Sequence, residues 1–355
     1  MGASSSSLFY ALCHWLQQNS YAIGIDLLLS SLIAYPLFDY LFYGWVRKEY
    51  EISKSLTNGA KQAYLNTFHK IEVSANDAAT VFDQLYLEWY GRQRFLFPIV
   101  FILLVTLIEN FALGGAFAQL ASKWELGASD AAIAGAYTFV TWDFFARMQR
   151  RNLSPADTCR GALRLAIAIP VGYVFSVLLQ PSLGPFIAFA VGVFPIGALG
   201  LILRQLANKK LGLEIGAAEA SDQVVKLSGV DLSTAARIED ADITTIAQLA
   251  WCDPIQLSMR SNLSFAYVVD IVSQALAWVY LGDRINDLRT IGLRGAYEIS
   301  VFLDDLDSDD ADEKKLAQNT LPVASEIAHC PIAGLMYAFE QIAQDPNTNF
   351  LCEAA

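Results

Sequence analysis

The feature that most limits this chain is the run Phe95 to Leu120, FLFPIVFILLVTLIENFALGGAFAQL. About 20 apolar residues, rising ~1.5 Å each, cross a bilayer, and this run is long enough. Its only ionisable group, Glu109, would lie near the middle of the hydrocarbon. A chain with such a segment is expected to be a membrane protein, and its other segments then sort by the side they occupy.

Composition agrees. Only 17% of the 355 residues are charged, against roughly a quarter in soluble globular chains. The deficit is local. Residues 1–207 carry 14 Lys/Arg and 13 Asp/Glu, whereas the remainder carries 10 and 23, a net charge of −13. The chain therefore divides into a near-neutral hydrophobic region and an acidic one.

Five spans account for the hydrophobic region: 21–45, 95–120, 128–145, 165–180 and 184–203. An N-terminal segment, 1–20, precedes them as an interfacial element. The turn signal Gln180-Pro181-Ser182-Leu183-Gly184-Pro185 divides the last two spans, with a re-entrant pair as the alternative. Basic residues then report sidedness. Arg47, Lys48 and Lys54 follow the first span, Arg147, Arg150, Arg151, Arg160 and Arg164 the third, and Arg204, Lys209 and Lys210 the fifth. The N-terminal twenty residues have no Lys or Arg, and Lys123 is the only basic residue in the other two connections. The expected topology puts the N-terminus outside and the C-terminus in the cytoplasm, across a plasma or bacterial inner membrane. The start MGASSSS matches a myristoylation pattern at Gly2 and Ser6, but this topology places it on the wrong side. The cytoplasmic connection 47–94 reads as helices, with Val81, Phe82, Leu85, Tyr86 and Trp89 on one face.

Beyond Ala218 short helices alternate with turns. Val225-Lys226-Leu227-Ser228-Gly229-Val230-Asp231-Leu232 through Ile238 resembles a helix-hairpin-helix motif. Asp242-Ile243-Thr244-Thr245-Ile246-Ala247-Gln248-Leu249 continues it, and Ile291-Gly292-Leu293-Arg294-Gly295-Ala296 resembles a second copy. Asp253-Pro254 supplies an N-cap and a proline in the first turn, and Ser264 caps a long amphipathic helix. The resemblance covers residues 222–303, within a domain at 218–303 that is followed by an acidic linker and terminal helices at 304–355. It implies a helical domain of the kind related to sterile-alpha-motif folds, used for DNA binding or protein association. Asp231 stands where the DNA-binding form needs a second glycine, and the acidic balance opposes phosphate contacts. Protein partners or self-association are therefore favoured over nucleic acid, with Gly229, Val230, Asp231, Gly292, Leu293 and Arg294 as the contact face.

Chemistry-bearing patterns are few. The five cysteines and three histidines are scattered without metal-ligand spacing, and no nucleophile elbow, zinc-protease or phosphate-loop motif occurs. Neither catalytic residues nor cofactors nor metals are expected, so the chain is read as a non-enzyme. Intramembrane carboxylates remain. Glu109, with Asp39 and Asp143 toward the cytoplasmic ends of their spans, forms a candidate ion or proton site, although Arg147 offers Asp143 an i,i+4 partner. Asp26 lies near the outer end of its span, within reach of water. The expected fold is all-α: a multi-span transmembrane bundle with a C-terminal cytoplasmic helix-hairpin-helix-like domain. The leading function is a membrane-anchored interaction protein, expected as a homo-oligomer. The alternatives are a cation or proton channel or transporter and, third, a membrane tether for DNA.

Overall fold

The computed structural model describes residues 20–74, 76–123, 127–151, 153–178, 183–193 and 224–354. Among them every regular element is a helix. The expected segment 1–20, apart from Ser20, lies outside the described residues, as do the end of the expected span 165–180 and the second half of 184–203.

In chain order, α1 (Ser20–Asp39) continues through a π-helical turn at Tyr40–Gly44 into α2 (Trp45–Ser55). Glycine suits that turn, because a Cβ on Gly44 would stand 2.6 Å from the Tyr40 ring. Thr57 caps α3 (Asn58–Tyr64), accepting the Ala60 N–H at 3.0 Å, and a second π-helical turn follows at Leu65–His69. Next come α4 (Ala78–Tyr90), α5 (Arg92–Lys123), α6 (Ala128–Gln149), α7 (Pro155–Leu178) and α8 (Gly184–Val193). The start of α7 is a reciprocal capping arrangement with proline in the first turn. Asp157 Oδ2 accepts from Ser154 N and Oγ at 2.9 and 2.7 Å, and Asp157 N donates back to Ser154 Oγ at 3.3 Å. Beyond residue 224 follow α9 (Leu232–Glu239), α10 (Ile246–Ala250), α11 (Pro254–Ser261), α12 (Phe265–Leu281), α13 (Arg284–Leu288) and α14 (Ala296–Asp307). The chain ends in α15 (Ala311–Ile327), α16 (Ile332–Ala343) and α17 (Pro346–Ala354).

These helices form two compact units, residues 1–45 with 92–215, and residues 46–91 with 216–355. In the first, α6 packs along α7 and α8, and α5 packs on α1 and α7. Small residues set the closeness of that contact. A Cβ on Gly135 would lie 2.3 Å from the Phe189 carbonyl, and one on Gly192 would lie 2.4 Å from the Ala132 carbonyl. Ala128, Ala131, Ala132 and Ala188 are buried together beside them. Polarity in this unit runs opposite to that of a water-soluble protein. Phe97, Ile108, Trp142, Tyr173 and Phe186 are all more than 60% exposed, while Asp26, Thr106, Glu109, Asn110 and Arg164 are buried. Two helical runs, Ile23–Ser55 and Ala78–Phe111, are long and apolar enough to cross a membrane by length and composition.

The second unit is built around α12, which packs against α10, α11, α13, α14, α16 and α17. Phe265, Val268, Val269, Ile271, Val272, Ala275, Leu276 and Ala277 are buried on nearly every side of it, so its all-round apolarity is that of a core helix. The unit takes in the segment between the two longest helical runs, since α3 packs on α17. Tyr64 and Phe68 both set their rings against Phe350, with centroids 5.7 and 5.5 Å away.

Candidate functional site

The second unit is held together by polar contacts between parts of the chain remote in sequence. Glu51, on α2, reaches the amino end of α12. Its Oε1 accepts from Phe265 N at 2.7 Å and from Ser264 Oγ at 2.9 Å. Ser264 occupies the N-cap position as expected, but its own side chain makes no capping bond, so Glu51 takes that role. Lys48, buried beside it, pairs with Glu51 at 3.4 Å and donates to the Leu263 carbonyl. A helix end gains from a carboxylate at its free N–H groups, and here the carboxylate comes from another segment.

A second joint centres on Asp253. Its Oδ1 caps α11 by accepting from Ile255 N at 2.8 Å and Gln256 N at 3.1 Å, as the Asp-Pro pair predicts. Its Oδ2 accepts from Tyr64 Oη at 2.7 Å and Tyr90 Oη at 2.9 Å. Burial pushes the Asp253 carboxyl above its ordinary range, and the four hydrogen bonds act against that rise. Burial and the Asp253 charge together keep Tyr64 a neutral phenol. Tyr86 also reaches across, its Oη donating to Met259 Sδ at 3.6 Å.

Each of the two expected hairpin faces has a glycine with positive φ. Gly229 has φ +81° and Gly292 has φ +92°, a region glycine enters without strain. Each is followed by a buried aliphatic residue, Val230 or Leu293. They differ in the next position. Asp231 caps α9 by accepting from Thr234 N at 2.7 Å, and the hydrogen bonds from Thr234 and Ser233 hold its carboxyl below the usual range. Arg294 instead pairs with Asp270 at 2.5 Å and Glu298 at 3.1 Å. Leu232, beside the first hairpin, is 73% exposed.

In the first unit the three expected carboxylates each have their own surroundings. Asp143 pairs with Arg147 at 2.8 Å, and the same guanidinium holds buried Asp157 at 3.0 Å. Asp39 is half-buried. Glu109 is 2% exposed, and neither oxygen has a hydrogen-bond partner. Asp26, read as facing water, is buried and accepts from Ser30 Oγ at 3.2 Å, while Asn110 Nδ2 donates to Ser30 Oγ at 3.3 Å. Arg164, counted with the cytoplasmic basic cluster, is also buried. It donates to the Gly192 carbonyl at 3.2 and 2.5 Å and lies 3.8 Å over the Phe139 ring. Hydropathy reading places charges along a helix but not around it, and for both residues the unseen coordinate decided the outcome.

The described chain is thus an all-α, multi-helix protein with two helical runs suited in length and composition to a bilayer. Among the described residues no group of three or more His, Cys, Asp or Glu is placed to hold a metal. Compared with known proteins, the chain matches no family model, no curated protein and no solved structure.

Proposed function

We propose that this protein is an integral membrane protein of five spans, non-catalytic, that presents an acidic helix-hairpin-helix-like domain to the cytoplasm for association with a protein partner or a second copy. The observation that carries the membrane reading is the reversed polarity of the first unit. Large apolar side chains such as Phe97, Ile108, Trp142 and Phe186 face outward, and the polar groups point in. In water such a surface would be an association or aggregation hazard, whereas in lipid it is the ordinary arrangement.

The interaction reading draws on the hairpins. The turns at Gly229 and Gly292 both carry a glycine with positive φ, and an ionised Asp231 at the first of them opposes phosphate. That sets protein association ahead of DNA tethering. Protease protection of terminal tags on the full-length protein in intact vesicles tests the topology. The C-terminal tag should be cleaved only from the cytoplasmic side, and an external C-terminus would refute the scheme. Crosslinking in the membrane with Leu232→Glu as the control tests the hairpin, since a contact there should be lost in the variant.

One observation favours a second reading, cation or proton passage through the bundle: the unbonded carboxyl of Glu109. Flux into vesicles carrying the protein, absent from Glu109→Gln, would support it.

A further inference from the structure

Ile102, Thr106, Glu109, Asn110 and Leu113 form the buried stripe of α5. Apolar residues close it at both ends, and its middle turn is made of oxygen donors. Thr106 Oγ1, both oxygens of Glu109 and Asn110 Oδ1 are buried without a hydrogen-bond partner. That is four unsatisfied oxygens on three side chains spaced i, i+3 and i+4, which share one helix face. The Asn110 amide nitrogen is already committed to Ser30, and Ser30 to Asp26. Asn110 is therefore held with its nitrogen toward α1, leaving Oδ1 as a free acceptor.

Unsatisfied buried polar atoms are rare, and each calls for a physical explanation. A run of buried oxygens without partners can complement a cation, and hard oxygen ligands suit sodium-like ions better than soft metals. The charge balance selects valence. The set holds one carboxylate, Glu109, with Asp26 linked to it only through Ser30 and Asn110. No group of three or more His, Cys, Asp or Glu is placed among the described residues to hold a metal ion. We infer that the α5 stripe Thr106–Glu109–Asn110, backed by Ser30 and Asp26 of α1, binds one small monovalent cation of the sodium type. The inference rests on the membrane reading only in that lipid excludes the water which would otherwise satisfy these oxygens.

Full-length protein in detergent, titrated with radioactive sodium at an ionic strength held constant with choline, should bind saturably, one ion per chain. Glu109→Gln should abolish binding. Thr106→Val removes one ligand with little change of volume and should weaken binding about tenfold. If Glu109→Gln does not fold, the wild-type titration and Thr106→Val decide the matter. No saturable sodium binding by the wild type would overturn the proposal and leave Glu109 as a protonated structural carboxyl, and so would binding that survives every substitution. Tag protection does not depend on sodium, so failure of the site and failure of the topology are separately visible.

Discussion

Glu51 Oε1 accepts the N–H of Phe265 at 2.7 Å, although the two residues are 214 positions apart. Both residues lie in the second unit, and the contact ties α2 to the central helix of that unit. It follows that the amino end of α12 is completed by a residue contributed from elsewhere.

Glu51→Ala should therefore act as the loss of a helix cap. It removes acceptors from Phe265 N and Ser264 Oγ and leaves buried Lys48 without its ion-pair partner. Cap loss costs about 0.5–2 kcal/mol, and the orphaned ammonium adds to it. Thermal unfolding of the full-length protein in detergent should show a lower Tm for Glu51→Ala, with Glu51→Gln in between because it keeps an acceptor but not the charge. An unchanged Tm in Glu51→Ala would mean the cap is supplied in some other way.

Tyr64→Phe and Tyr90→Phe each take one donor from the same oxygen of Asp253. Each should cost about 1–3 kcal/mol, since a buried charged acceptor loses a partner. The double variant should depart from additivity, because both donors serve one atom. A double-mutant cycle by denaturant unfolding reads this, and strict additivity would argue against a shared joint.

The pH dependence of the same joint has a definite sign. Burial raises Asp253 above its ordinary value of 3.8 in the folded protein, so the folded state binds the proton more readily than the unfolded one. This contribution to stability is fully present below the unfolded value and is lost as pH rises from there through the folded value. Asp253→Asn keeps a capping side chain but cannot titrate. The stability of the wild type relative to Asp253→Asn should fall as pH rises through that interval, and a difference that stayed flat would show that burial leaves no imprint on the titration.

Glycines in the first unit divide by what surrounds them. Gly192→Ala would place a Cβ 2.4 Å from a backbone carbonyl, whereas Gly24→Ala meets nothing within 4 Å. Backbone cannot yield as a side chain tip can, so the first change should force α6 and α8 apart at a cost of about 1–3 kcal/mol or more. The second should be neutral or stabilising by up to about 1 kcal/mol, through helix propensity. Detergent melting curves of the two variants compare them directly.

How much of this was readable beforehand depended on range. Asp253-Pro254, Gly229 and Gly292 act through neighbours within three or four positions, and the residue types alone announce a cap, a first-turn proline and left-handed turns. The Asp143–Arg147 pair was legible for the same reason. Glu51, Tyr64 and Tyr90 carry no such mark, because their partners are set by tertiary packing. Tyr86, by contrast, lay on an apolar face visible in the spacing. Distance from the end of an apolar run puts Asp26 within reach of water and sequence position groups Arg164 with a basic cluster, but rotation about the helix turns both side chains inward.

Residues 46–91 supply the cap of α12, two donors to Asp253, the sulfur contact to Met259 and the rings against Phe350. A fragment spanning only 224–355 would lack all of these and would uncover the apolar surface they bury. Against a net stability of 5–15 kcal/mol for a typical domain, losing several contacts worth about 1–3 kcal/mol each, along with that burial, should leave the fragment without a cooperative fold. Adding a 46–91 peptide in trans should restore a cooperative transition and protease resistance, because the missing parts then return without the covalent link. Circular dichroism melts and limited proteolysis of the fragment, with and without the peptide, provide the measurement. A sharp melt from the fragment alone would show that the C-terminal helices are self-sufficient and that the interlocking contacts are secondary to them.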